Sequence, residues 1–294
     1  MTTPTRILIT GAGGFLGRHL VPALQSAGFE VTALHHSDLD ICSATDVAHT
    51  IAAARPDVVV HCAALSSTAY CAAHPDESEA VNVGGSVNVA RACAQCEARL
   101  VYCSSDQVYS SMPDGPLAEH IPLTPNNVYG RHKLLAEKLV SEQLRSSVGL
   151  RLTWMFDADE PAHRDVANVL RDTLTTRTPL KASTREFRGI TSVVSVVQGI
   201  VSLIHLLPTI DGGVFNFGSP NSLTTYDLYR TVITNMSDGT TPPSSEQAAL
   251  IIPDDTWGRH LAMDTTAIER LGITFHDTLH ELTVHLADRR DIDD

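Results

Sequence analysis

RILITGAGGFLGRHL, residues 6 to 20, is the stretch on which the reading of the fold turns. RILIT is a short apolar run rich in β-branched residues, as strands are, and FLGRHL opens a helical pattern. Between and just beyond them stand Gly11, Gly14 and Gly17. Gly11 permits a tight turn, Gly14 lets backbone approach a diphosphate, and Gly17 lets the helix lie close on the sheet. The free amides at the helix start then face phosphate oxygens, with the helix dipole in the favourable sense. Strand before and helix after is the context a glycine pattern needs, so the stretch reads as a dinucleotide cradle rather than a structural turn.

Working outward, FEVTAL (29–34), DVVVHC (57–62), RLVYCS (99–104) and VGLRLT (148–153) repeat the strand pattern. Helical spacing fills the gaps: FLGRHLVPALQSAG, DVAHTIAAARP, the stretch from Asp76 to Cys96, and VYGRHKLLAEKLVSEQL. Such alternation predicts βαβ units and an α/β, Rossmann-type doubly wound parallel sheet. Pro22 falls inside the first helix, where a lost hydrogen bond predicts a kink. After about residue 154 the pattern loosens. Residues 161–176 and 193–207 read as helices, GGVFNFGS as a short strand, and SDGTTPPSSEQ (237–247) as a loop. The expected division is a dinucleotide domain of residues 1–153 plus about 188–210, and a smaller, partly interleaved substrate domain of residues 154–187 and 211–294.

Composition narrows the partners. The chain of 294 residues carries 21 basic against 34 acidic residues, a net charge of -13, which argues against nucleic acid and anionic membrane surfaces. No segment has the roughly 20 apolar residues of a membrane span, and the opening MTTPTRILIT lacks a signal peptide's apolar core, so a cytoplasmic location is expected. Six cysteines lie mostly in apolar runs, as free thiols of a reducing compartment do; Cys93 and Cys96 form a lone CxxC on a helical pattern. The 14 histidines show no HExxH or other ligand spacing, and no metal site is expected.

The chemistry centres on Tyr129 and Lys133 in NNVYGRHKLLAEKLV (126–140). Four residues are about one helical turn, so the two side chains share a face. Tyrosine ionises near pH 10, about 3 units from a useful working value; a lysine one turn away supplies positive charge toward the phenolate. On its own YxxxK also fits a solvated helix face. The strand RLVYCS, however, runs into SSDQVY (104–109) at the carboxyl edge of the sheet, where ligands of such folds bind. Ser105 there stands 24 residues before Tyr129.

The GxxGxxG cradle, Ser105 and YxxxK together resemble the short-chain dehydrogenase/reductase superfamily, in its extended branch. RPDVVVHCAALSS, HPDESEAVNVGGSVNVA, SSDQVY, PNNVYGRHKLLAEK, LRLTWMF, GGVFNFGSPNSLTTYDL and RHLAMDTTAIERLG follow in the order of the dTDP-4-dehydrorhamnose reductase type, over nearly the whole chain. That resemblance implies catalytic Tyr129, Lys133 and Ser105, with Asn82 at the remaining helix position; a buried helix-packing asparagine is an equal reading. It places Gly11, Gly14, Phe15, Leu16, Gly17, His35, His36, Asp40, Ile41, Cys62, Ala63, Ala64, Tyr129, Lys133, Trp154 and Met155 at the cofactor. It places Ser66, Asp106, Gln107, Trp154, Arg188 and Arg259 at the substrate. Trp154 reads equally well as a core aromatic. The second strand ends in His35 and His36 instead of the acid that holds an NAD ribose, which favours NADP(H) over NAD(H); two exposed histidines are the other reading.

The implied activity is reduction of a 4-keto-6-deoxy sugar on a nucleoside diphosphate, or of a related small carbonyl compound, by a homodimer paired through the YxxxK helix and its neighbour. Two departures touch the substrate: REFRGIT (185–191) stands for the family's DQxGxPT-like segment, and Arg259-His260 for its arginine-proline. Basic residues from Arg164 to Arg188 suit a diphosphate or a solvated face. Sugar-nucleotide dehydratases resemble TDE where this chain has Ser105, Asp106 and Gln107, and Gln107 offers no basic carboxylate. A sugar-nucleotide epimerase, and a non-catalytic NADP-binding subunit like the regulatory subunit of methionine adenosyltransferase, are the alternative expectations.

Overall fold

Six parallel strands form the central sheet of the computed structural model, which describes residues 4–160, 165–236 and 245–287. They are β1 (Arg6–Thr10), β2 (Glu30–Leu34), β3 (Val58–His61), β4 (Arg99–Ser105), β5 (Val148–Leu152) and β9 (Gly213–Phe217), in the order β2-β1-β3-β4-β5-β9. The chain leaves β1 toward one edge and returns to its other side at β3, so the topological switch lies between the carboxyl ends of β1 and β3. Ligands of open α/β sheets bind at that crevice.

Both faces are covered. α1 (Phe15–Ser26) and α8 (Val193–Leu206) pack on the face carrying Ile7, Ile9, Val58 and Val60. α2 (Ala44–Ala54), α5 (Ser86–Gln95) and α6 (Val128–Gln143) cover the face of Leu8, Val59 and Leu100. Alternate residues of one strand thus serve opposite cores, which is why β1 and β3 read as unbroken apolar runs. Pro22 is exposed on α1, and the helix runs through it to Ser26. A solvent-facing position lets water satisfy the carbonyl that proline leaves without a donor.

Between the expected helix limits at Asp76 and Cys96 the backbone is not uniform. α4 (Pro75–Glu79) passes into a π turn at Ala80–Gly85 before α5 begins. A π turn inserts extra backbone without changing the apolar pattern, so periodicity does not show it.

A smaller unit has its own core of Phe156, Val166, Leu170, Tyr229, Val232, Ile251 and Leu282. It is built from β6 (Trp154–Phe156), α7 (Val166–Thr176), β7 (Leu180–Arg188), β8 (Ile190–Ser192), α9 (Thr225–Asn235), α10 (Ser245–Ala248), β10 (Ile251–Leu261) and α12 (Thr278–Ala287), with the short α11 (Thr266–Glu269) behind β9. β10 pairs with β7, and β6 with β8, in parallel. None of these four strands alternates cleanly enough to be read from sequence. α7 starts at Val166 behind an Asp165 cap, with residues 161–164 outside the described set. The expected loop at 237–247 lies outside it through residue 244 and then enters α10. The sequence division is corrected at β9. Grouped with the smaller unit, it is the sixth strand of the large sheet, because Phe217 is fully buried in the core under α1 and α8.

Candidate active site

At the end of β1 Gly11 adopts φ +69, and a Cβ there would stand 2.6 Å from the amide nitrogen of Ala63. The turn can therefore press against the chain leaving β3 only as glycine. A Cβ on Gly17 would stand 2.3 Å from the Gly11 carbonyl, so the first turn of α1 lies on the cradle. Two cavities open from here. One, of about 600 Å³, is bordered by Gly11, Gly13, His35, His36, Asp40, Ile41 and Ala63. The other, of about 540 Å³, reaches from Phe15 and Leu16 past Ser66, Ser105, Gln107, Tyr129 and Lys133 to Trp154, Met155, Arg188 and Arg259. Gly14, Cys62 and Ala64 border both. A path from adenosine to nicotinamide across a sheet edge has this form, and the helix start at Gly14, which borders both cavities, offers free amides of the kind that hold phosphate.

α6 brings the YxxxK pair to the second cavity. Asn127 caps the helix, accepting from the Gly130 amide at 2.7 Å. Gly130 lets the helix start rest on the turn after β4: a Cβ there would stand 2.2 Å from the Gln107 carbonyl. Tyr129 and Lys133 are both buried, and Glu137, one further turn along, is buried behind them. The Tyr129 phenol lies beside Ser105 on the cavity wall. Burial pushes the phenol above its ordinary value near 10, the neighbouring Ser105 hydroxyl pulls it down, and the Asp106 carboxylate adds to the rise. The sequence reading assigns the downward pull to Lys133. Lys133 donates to the Cys103 carbonyl at 2.9 Å, with its ammonium 5.8 Å from the Tyr129 ring centre. Burial lowers the Lys133 ammonium from its usual range. The result is a protonated phenol beside a serine hydroxyl and a cation, an arrangement that can hand a proton to an oxygen in the cavity.

Asp106 organises the far wall. Its buried carboxylate accepts from Arg188 Nε at 2.7 Å and Nη2 at 3.2 Å, from Gln107 Nε2 at 3.2 Å and from the Ser105 hydroxyl at 3.3 Å. The Arg188 guanidinium lies 5.2 Å from the Trp154 ring centre. Arg259 pairs with Glu186 at 2.7 Å. Of the expected catalytic set, Asn82 alone does not border the cavity. From the π turn it accepts from the Leu65 amide at 3.0 Å and donates to the Leu65 carbonyl at 3.0 Å, holding the segment after β3 in place. Of the expected cofactor set, Gly17 shapes the cradle without bordering a cavity, and Arg164, from the basic stretch, lies outside the described residues.

Several residues at the site went unread in the sequence. Ser67, Thr68 and Ala69 border the catalytic cavity from the start of α3 (Thr68–Ala73), as do Cys103, Ser104 and Thr153. The serine-rich run after β3 was the available signal. Behind the site, Glu137 accepts from Arg151 at 2.7 and 3.0 Å, and Arg151 donates to Tyr109, which donates to Asn216 at 2.8 Å. This buried network ties the turn after β4 to β5, α6 and β9. Away from the cleft, His19, Asp157 and Glu160 converge, with Glu160 already paired to Arg18. All six cysteines are free, and among the described residues no helix is long and apolar enough to cross a membrane.

Comparison with known proteins agrees with this geometry. The family model described as the RmlD substrate binding domain matches residues 5–292. The spore coat polysaccharide biosynthesis protein SpsK of Bacillus subtilis is 34% identical over 152 residues, 52% of this chain and 54% of that protein. The dTDP-4-keto-6-deoxy-D-glucose reductase of Streptomyces niveus is 31% identical over 229 residues, 76% of each. The methionine adenosyltransferase 2 subunit beta of Rattus norvegicus is 33% identical over 174 residues, 57% of this chain and 52% of that one. The matched region spans about half the length of the first curated relatives. Among solved structures, the dTDP-4-dehydrorhamnose reductase of Bacillus anthracis in complex with NADP superposes with a TM-score of 0.83 at 20% identity, over 98% of this chain and 99% of that one, a likeness of fold. The chain belongs to the dTDP-4-dehydrorhamnose reductase-like family of extended short-chain dehydrogenases/reductases.

Proposed function

We propose that this member of the family is a ketoreductase that prefers NADPH to NADH and reduces a nucleotide-linked 4-keto-6-deoxy sugar or a related small carbonyl compound in the cytoplasm. The observation that carries the reading is Tyr129, Ser105 and Lys133 set together on a cavity that continues to the glycine cradle. Gly11, Gly14 and the start of α1 hold the diphosphate, and His35 and His36 border the adenosine end where a 2'-phosphate falls. The nicotinamide, when bound, supplies hydride to the carbonyl carbon. Ser105 orients the carbonyl oxygen, Tyr129 delivers its proton, and Lys133 holds the cofactor ribose and restores positive charge beside the phenol. Arg188, stacked on Trp154, and Arg259 face the substrate end. Each already has a carboxylate partner, so their charge toward a diphosphate is partly offset.

Gln107 supports reduction over dehydration, since its amide cannot remove a carbon-bound proton. The likeness to the methionine adenosyltransferase beta subunit favours a second reading, a dinucleotide-binding regulatory partner. Loss of reduced-nicotinamide absorbance on addition of a dTDP-4-keto-6-deoxy sugar tests the first. A panel of keto sugars without turnover, together with stable co-purification of a second enzyme, supports the other.

A further inference from the structure

Cys62 follows β3 and Cys103 lies in β4, and the pairing of His61 with Tyr102 sets the two cysteines opposite one another on adjacent strands. Their sulfurs are 3.9 Å apart. Both are free and half-buried, and both border the cavity of Tyr129 and Lys133. The proposed reduction uses neither sulfur, so the pair is a chemical feature of the cleft without an assigned role.

Geometry allows a bond between them. Adjacent strands are about 4.7–4.9 Å apart, within the range of about 4.4–6.8 Å between Cα atoms of a disulfide. Bringing the sulfurs from 3.9 Å to about 2.05 Å is within the reach of side-chain rotation. The thiolate is the attacking form. Cys103 is the more acidic of the two, lowered by its hydrogen bond with Cys62 and by the Lys133 ammonium against the opposing effect of burial. The remaining cysteines have no such cross-strand partner: Cys71 is buried, Cys42 is exposed, and Cys93 and Cys96 lie at the end of α5.

We propose that Cys62 and Cys103 form a modification site at which a low-molecular-weight disulfide reversibly installs an intramolecular disulfide, and that bound dinucleotide covers it. The Cys103 thiolate attacks one sulfur of RSSR, the S–S bond breaks, and RS⁻ leaves. The Cys62 thiolate then attacks the Cys103 sulfur of the mixed disulfide and expels the second RS⁻. The two cysteine protons end on two RSH; the cysteines are oxidised and RSSR is reduced. The covering of the site rests on the dinucleotide reading of the cleft, whereas the thiol chemistry does not.

The test uses the native chain with glutathione disulfide, followed by thiol blocking, intact mass and peptide mapping. The expected product has lost two hydrogens, carries a Cys62–Cys103 cross-link, and returns to the starting mass with dithiothreitol. Cys62→Ser should instead retain one glutathione on Cys103. A cross-link elsewhere, glutathione held stably on Cys103 of the unaltered chain, or inert thiols at both positions would overturn the proposal. Saturating NADPH should slow cross-linking by roughly tenfold or more, as a reagent must reach the thiolate to react. An unchanged rate with the cross-link still forming overturns the covering alone, and so separates failure of the cofactor reading from failure of the thiol chemistry.

Discussion

Replacing Tyr129 by Phe removes one oxygen from a buried site and leaves the ring in place. The lost hydroxyl is the proton donor of the proposed reaction, and general acids contribute about 10²–10⁴ in rate, or about 2.7–5.5 kcal/mol of barrier. The cost to the fold is far smaller. Ser105 keeps its own bonds, accepting from the Gln107 amide at 3.2 Å and reaching Asp106 at 3.3 Å, so no more than about 0.5–1.5 kcal/mol, the worth of one hydrogen bond, is at stake. The cradle at Gly11 and Gly14 and the histidines after β2 are untouched. Turnover followed by NADPH absorbance should therefore fall by two to four decades, while NADPH binding followed by fluorescence changes less than about threefold. Because burial raises the phenol, the donor form persists through neutral pH, and Tyr129 should impose no loss of reduction rate between pH 7 and 9. Turnover within threefold of the unaltered chain, or cofactor binding lost in step with turnover, would refute the assignment of Tyr129 as the acid.

Other perturbations probe the scaffold and the cofactor. Arg151→Met leaves Glu137 buried and unpaired, and should cost about 3–5 kcal/mol in chemical denaturation, with Glu137→Leu in the same chain recovering part of it. His61, fully buried between Thr10 and Ser86, is depressed by burial to about 3. A depressed group contributes stability that is present above its unfolded value near 6.5 and is lost as pH falls toward the folded one. The unaltered chain should thus lose about 2 kcal/mol between pH 6.5 and 5.0, and His61→Gln distinctly less, in parallel denaturation curves. His35→Asp places a carboxylate where NAD ribose hydroxyls are held, and should move the NADPH-to-NADH ratio of kcat/KM toward NADH by about tenfold or more. Light scattering should give a homodimer, and Leu135→Glu on the exposed face of α6 a monomer; a monomer before substitution would remove α6 as a contact.

The parts legible without coordinates are those written in short windows. RILITGAGGFLG states strand, turn and helix within a dozen residues, because a positive φ, a close backbone approach and a period of about 3.6 are local demands on local residues. YxxxK is likewise a single helical turn. Whether Tyr129 meets Ser105 is a question of which helix packs against which strand, and it rests on the close approach of Gly130 to Gln107. Asn82 shows the limit of position alone: the resemblance puts it among the catalytic residues, burial in packing is the equal reading, and in the π segment it bonds the backbone of Leu65.

The sequence by itself determined the first five strands, the cradle and the order of the chemical groups along the chain, since each is a property of neighbouring residues. Tertiary structure alone decided that Arg188 meets Asp106 across 82 positions, that β9 joins the large sheet, and that two cysteines face one another beside Lys133. Those contacts depend on strand order and helix docking, which arise from burial summed over the whole chain and leave no mark in any one window of it.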